Sequence, residues 1–94
     1  MILHKVQNVE ALTDFVLLVT FKNQEMRIYD VKPLLKRWEA FLPLEEQLGL
    51  FEQVRVDTGG YGVSWNDEID LSCDELYFNG KRPPVTMPAA NLEQ

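Results

Sequence analysis

The densest group of side chains that could do chemistry lies in the last third of the chain. Its members are Asn66, Asp67, Glu68, Asp70, Asp74 and Glu75. Oxygen ligands of this kind suit calcium, and an EF-hand loop needs glycine at its sixth position and glutamate at its twelfth. Counted from Asn66, these positions hold Leu71 and Tyr77, so the calcium motif is not met. The stretch predicts either a solvated acidic rim or a face that binds a protein partner.

Asp57-Thr58-Gly59 is the tripeptide of the aspartic proteases, in which two carboxylates share one proton. The 37 residues that follow Asp57 are too few for the strands and flap that such a fold adds after the tripeptide. Gly59 and Gly60 between two alternating segments favour a tight hairpin turn, because glycine adopts positive φ angles readily. We therefore expect Asp57 to accept hydrogen bonds from N–H groups of the turn.

His4 and Cys73 are the only histidine and cysteine of the chain. One of each cannot complete a structural zinc site. A Cys–His nucleophile pair is conceivable, but the charge of Asp74 beside Cys73 raises the thiol pKa and opposes thiolate formation. The sequence also contains no phosphate-binding glycine motif and no G-x-S-x-G elbow. We expect no cofactor, no metal and no catalytic residue.

One enzyme hypothesis stays open as the alternative. A small hydrolase or isomerase would use Asp57 or Asp70, together with Tyr61 or His4, in a cleft. Such chemistry requires a concave pocket and a carboxylate with a raised pKa. An Asp57 placed in a turn and an exposed Asp70 would argue against it.

Length and charge restrict the class of protein further. Ninety-four residues, of which 46% are hydrophobic, form one domain with one small core, and a single cysteine excludes an intramolecular disulfide. The formal net charge of −6 is uneven, because residues 43–80 hold nine acidic side chains and Arg55 as their one base. Direct nucleic-acid binding depends on Lys and Arg. We therefore expect no direct contact with nucleic acid and favour a basic protein partner.

The longest unbroken apolar run, residues 15–19, is far shorter than the roughly 20 residues of a membrane-spanning helix. The first residues also lack the apolar stretch of a signal peptide. We expect a cytoplasmic protein that does not bind membranes.

The hydrophobic periodicity predicts an α+β domain: a small antiparallel sheet of about five strands with two or three short helices. The predicted strands are residues 2–12, with room for a bulge, and residues 15–21, 26–31, 53–57 and 61–65. This α+β domain would span residues 1–80, followed by a flexible, proline-containing tail over residues 81–94.

Several residues predict where the helices begin and end. Pro33 and Pro43 suit the first turns of two short helices. Ser72 and Glu75 form a capping box that begins a third helix, and Gly80 suits its end. Trp38 and Trp65 could line a groove, but we expect both in the core because large aromatics dominate the cores of small domains.

Five segments in order resemble a known family: residues 17–21, 28–35, 54–57, 63–65 and 69–77. They are similar to a bacterial family known as domain of unknown function 2442. The resemblance implies a small α+β domain with no established activity, cofactor or catalytic residue. Similar domains are sometimes fused to a helix-turn-helix, and some lie in two-gene pairs that resemble toxin–antitoxin modules.

The leading hypothesis is a non-catalytic interaction module, the acidic antitoxin-like member of a two-gene pair, that binds a basic partner protein. The candidate partner-binding residues are Trp65, Asp67, Glu68, Asp70, Asp74, Glu75 and Tyr77. The carboxylates would attract the partner, and Trp65 or Tyr77 would provide an apolar anchor if exposed. An exposed edge strand could also pair two copies into a homodimer.

Overall fold

A computed structural model describes residues 3–84, and it begins with a three-stranded antiparallel sheet. Its strands are β1 (Val6–Leu12), β2 (Val16–Phe21) and β3 (Met26–Asp30), in that order. The predicted bulge in β1 lies at Gln7, because the pairing moves from Val6 opposite Phe21 to Asn8 opposite Thr20. The first three predicted strands are therefore confirmed, apart from one residue or a few at their ends.

The turn between β2 and β3 forms without the Asn-Gly pair that favours short hairpins. The side-chain oxygen of Asn23 accepts the N–H of Glu25 at 2.9 Å, and Gln24 takes a φ of 79°. This local hydrogen bond stabilises a turn with a positive φ, for which glycine would otherwise be favoured. The predicted hairpin is confirmed.

One face of this sheet carries the core. Leu17, Val19 and Phe21 are fully buried on it. Opposite residues of paired strands share a face, and the register places Arg27 across from Val19 and Tyr29 across from Leu17. The side chains of Arg27 and Tyr29 therefore lie on the core side of the sheet.

A second antiparallel sheet has the strands β4 (Arg55–Val56), β5 (Gly62–Ser64) and β6 (Asp70–Ser72), in that order. Gly59 and Gly60, both at a φ of 81°, form the predicted turn between β4 and β5. β6 was not predicted, because the carboxylates and the capping box of Ser72 dominate this stretch, although Ile69, Leu71 and Cys73 alternate with polar residues. The α+β fold is confirmed, with six strands in two sheets instead of about five in one.

Three short helices complete the fold: α1 (Lys32–Arg37), α2 (Pro43–Glu46) and α3 (Cys73–Asn79). Both prolines lie in the first turn, as predicted. The hydroxyl of Ser72 accepts the N–H of Glu75 at 3.1 Å, which is one half of the capping box. The other half does not form, because the two oxygens of Glu75 accept hydrogen bonds from Tyr29 and Asn79.

The last described residues return to the first sheet. Lys81 pairs with Ile28 of β3 through two backbone hydrogen bonds of 2.7 and 2.8 Å. Residues 85–94, most of the predicted tail, lie outside the described residues, as does the start of the first predicted strand. Over residues 3–84 no helix is long and apolar enough to cross a membrane.

Candidate functional site

A groove of about 290 Å³ separates α1 from the second sheet. One wall comes from α1 and the 3₁₀ turn that follows it, and the other from β6 and the start of α3. The lining residues are Leu34, Arg37, Trp38, Phe41, Asp70, Leu71, Ser72 and Glu75. We call this the Trp38 groove.

Trp38 is the exposed aromatic of this groove, with 54% of its surface accessible. Its backbone is extended, at φ −126° and ψ 115°, between α1 and the 3₁₀ turn Glu39–Phe41. Its N–H donates to the carbonyl of Leu34 at 3.0 Å, and its carbonyl accepts the N–H of Phe41 at 2.9 Å. These bonds hold the residue at the junction, so the indole stays outside the core. The expectation that Trp38 is a core residue was wrong.

Glu75 places a fixed carboxylate in the same groove. It accepts a hydrogen bond of 2.6 Å from the hydroxyl of Tyr29 and one of 2.9 Å from the side-chain amide of Asn79. Burial, and after it the hydrogen bond to Glu75, raises the pKa of the Tyr29 hydroxyl. Tyr29 therefore remains a protonated donor, and Glu75 keeps its orientation.

Arg37 and Glu75 also line a second groove, of about 680 Å³, which continues between α1 and α3. Asp30 and Lys81 lie in its lining as well. This second groove is therefore balanced in charge. In the Trp38 groove, Arg37 faces two carboxylates, those of Asp70 and Glu75, so this groove carries the acidic excess.

The predicted partner-binding carboxylates divide into three groups. Asp70 and Glu75 line the Trp38 groove together. Asp67 and Glu68 are exposed in the turn that leads into β6, which is fixed by two backbone N–H groups donating to the side chain of Asn66 at 2.8 and 2.9 Å. Asp74 is half-buried beside Cys73.

Neither predicted aromatic anchor lies in the Trp38 groove. Trp65 is a core residue with 3% exposure, and its indole N–H donates to the carbonyl of Phe51 at 2.9 Å. It does not meet the condition of exposure, because its ring packs against those of Phe41 and Phe51. Tyr77 is half-buried, and its hydroxyl donates to Glu25 at 2.9 Å.

Tyr77 belongs to a stack on another side of α3. The His4 ring lies parallel to it at 3.5 Å, and the Arg27 guanidinium lies 4.1 Å from its ring centre. The hydrogen bond from Tyr77, and after it the one from Arg27, lowers the pKa of Glu25. We assign this stack to the packing of α3 on β3.

The Trp38 groove is lined by Asp70 but not by Asp57, Tyr61 or His4. Asp57 lies directly before the turn Thr58–Gly60, and Asp70 is exposed. The predicted bonds from turn N–H groups to the Asp57 side chain are not formed, because the Gly60 N–H donates to the Asp57 carbonyl at 2.8 Å. The Asp57 carboxylate instead accepts the Ser64 hydroxyl at 2.6 Å.

Cys73 and His4 are both engaged in packing. Cys73 is buried, and burial, followed by the charge of Asp74, raises the pKa of its thiol. The direction agrees with the expectation from sequence. Within residues 3–84, no group of three or more His, Cys, Asp or Glu side chains is arranged to hold a metal ion.

Comparison with known proteins gives one match. The family model described as a protein of unknown function (DUF2442) matches residues 6–82. No curated protein and no solved structure matches the chain.

Proposed function

The chain belongs to the DUF2442 family of proteins of unknown function, so we propose a function on the basis of the groove. The protein is a non-catalytic interaction module that binds a basic segment of a partner protein. The Trp38 groove is the binding site. The partner is the product of a neighbouring gene, and this protein is the acidic, antitoxin-like member of the pair.

The observation that carries the proposal is the exposed Trp38 beside the carboxylates of Asp70 and Glu75. Tryptophan is enriched among the residues that dominate binding energy, because its large apolar surface is buried on association. An aliphatic stem of Lys or Arg can cover the indole while its charged end reaches the carboxylates. The groove is thus suited to a basic side chain.

The surroundings of the groove support a basic partner by long-range attraction. Asp67 and Glu68 are exposed in the turn that precedes Asp70. Together they extend the negative charge from the groove along its β6 wall. Charges at the edge of an interface mainly accelerate association and make it sensitive to salt.

The first test is co-purification with the neighbouring gene product at low and at high salt. We expect reversal of Asp67, Glu68 and Asp70 to lysine to weaken the complex about tenfold or more, since three attractive charges become repulsive. The matched control reverses Glu45, Glu46 and Glu52, which are also exposed. This control changes the net charge by the same amount but leaves the groove intact, so it should bind as the wild type does.

A substitution of Arg37 tests the same proposal, and here we expect binding to become stronger. Arg37→Gln removes the cation that faces Asp70 and Glu75 in the groove. A basic partner should bind this variant more tightly, by about two- to fivefold, because a repulsive charge is lost. No complex in any variant, or a complex indifferent to all these changes, would rule out the proposed function.

A further inference from the structure

The strand that forms one wall of the Trp38 groove is an edge strand. Within residues 3–84, β6 pairs with β5 on one side and with no strand on the other. Residues of an antiparallel pair alternate between those that bond to the partner strand and those whose N–H and C=O point away from it. The N–H of Trp65 donates to the carbonyl of Ile69 at 2.9 Å, and that of Cys73 donates to Tyr61 at 2.8 Å. Leu71, midway between Ile69 and Cys73, therefore bonds to β5 as well.

Asp70 and Ser72 consequently direct their backbone groups to the outer edge. In residues 3–84 no backbone group accepts the N–H of Asp70 or Ser72, and none donates to the Asp70 carbonyl, from that edge. All three residues of β6 line the groove, and its opposite wall holds Leu34 and Trp38 together with Arg37. A free edge with an apolar wall opposite is the arrangement that accepts an added strand.

We infer that the partner segment binds in extended form, as a fourth strand added to β6. This inference rests on the proposed function and specifies how the partner is held. Backbone bonds to Asp70 and Ser72 would hold the segment in place. Its alternate side chains would point to the two faces, so one lysine or arginine would reach Asp70 or Glu75 while an apolar neighbour covers Trp38.

The charges around β6 favour a basic segment of another protein as the occupant. The turn before β6, the strand itself and the start of α3 present five carboxylates, at Asp67, Glu68, Asp70, Asp74 and Glu75. A second copy of the same strand would bring like charges together, which opposes pairing. Pairing between two copies is therefore an outcome that the test must detect.

The experiment compares two probes on the full chain by NMR. The first probe is a short peptide of alternating valine and lysine. The second is the same peptide with alternate backbone amides N-methylated, which keeps its charge but removes its backbone donors. We expect the first peptide to bind and to slow hydrogen exchange of the Asp70 and Ser72 amides. The methylated peptide should bind about tenfold more weakly, because it loses two or more backbone hydrogen bonds.

Two substitutions of Asp70 separate the contribution of its backbone N–H to binding from the contribution of its charge. Asp70→Pro removes an N–H that points away from β5, a place where an edge strand tolerates proline. Asp70→Asn removes the charge but keeps the N–H. Asp70→Pro should weaken binding of the alternating peptide several-fold beyond Asp70→Asn. If Asp70→Pro does not fold, the exchange of the wild-type amides still decides the question.

The outcomes distinguish the two proposals. If both peptides bind equally and the Asp70 and Ser72 amides stay unprotected, strand addition is wrong while the proposed function stands. If these amides become protected with rising protein concentration and no peptide, the occupant is a second copy and the inference is overturned. If neither the peptides nor the neighbouring gene product binds, the proposed function itself fails.

Discussion

At the scale of the residue, hydrogen-bond partners decide which polar and aromatic groups are available for binding. Trp65 and Trp38 have the same side chain, but Trp65 is bound to Phe51 in the core and Trp38 is exposed at a helix junction. Glu75 is anchored by Tyr29, whereas Asp67 and Glu68 are exposed. The groove therefore holds a fixed carboxylate, and the turn beside it holds carboxylates that are free to adapt.

Tyr29 provides a prediction on pH dependence. Its pKa is raised above the ordinary value of 10.0 by burial and by Glu75, so the folded state holds this proton more tightly than the unfolded chain. The resulting stability is present below pH 10 and is lost as the pH rises beyond it, by up to about 1.4 kcal/mol per pH unit.

Urea unfolding on both sides of pH 10 measures this effect. Tyr29→Phe should reduce the alkaline loss of unfolding free energy. Tyr61→Phe is the matched control, since Tyr61 is exposed, and it should leave the loss unchanged. An identical alkaline loss in all three proteins would contradict the role of Tyr29.

At the scale of the element, the sequence predicts those pieces whose signals are local. The apolar alternation of β2, the two prolines at helix starts and the glycine pair before β5 each act within a few residues, and each was predicted correctly. The short strand β6 also has such an alternation, at Ile69, Leu71 and Cys73, but its pairing depends on where β5 lies. The exposure of Trp38 likewise depends on where α1 ends relative to β6, which no local pattern contains. Arg37 and Trp38 were for this reason missing from the predicted site.

Gly49 and Gly60 allow the cost of backbone strain to be distinguished from the cost of a steric clash. Gly49 and Gly60 both have positive φ, but a Cβ at Gly49 meets nothing within 4 Å, whereas one at Gly60 would lie 2.6 Å from the carbonyl oxygen of Val6. Gly49→Ala should cost about 1–2 kcal/mol of unfolding free energy, from strain alone. Gly60→Ala should cost about 3 kcal/mol or more, because the turn must also move away from β1.

Thermal and urea unfolding of the two variants provide the comparison. The difference between them measures how tightly the turn before β5 packs on β1. Equal losses for the two substitutions would mean that this contact relaxes without cost.

At the scale of the whole molecule, a buried arginine joins the first sheet to α3. Arg27, 7% exposed, donates to the carbonyl of Tyr77 at 3.1 Å and to the Glu25 carboxylate at 2.9 Å. Its guanidinium also lies over the Tyr77 ring. A buried cation with these partners connects the two parts of the fold, since its bonds span β3 and α3.

Arg27→Ala should lower the unfolding free energy by roughly 2–4 kcal/mol, because buried hydrogen bonds, an ion pair and a cation–π contact are lost together. Arg37→Ala is the matched control and should stay within about 0.5 kcal/mol of the wild type, as Arg37 is exposed. Urea unfolding measures both. Similar losses in the two variants would show that Arg27 does not hold α3 on the sheet.

The pairing of Lys81 with Ile28 has a consequence for behaviour at high concentration. Both backbone groups of Ile28 are occupied, and the Met26 carbonyl accepts the Arg27 guanidinium at 2.8 Å. In the same antiparallel register, the residue opposite Met26 is Pro83, which has no N–H to offer. Fibril growth requires a run of free ladder positions along an edge. The segment of residues 81–83 thus covers the edge of β3 and prevents this strand from starting aggregation in a concentrated solution.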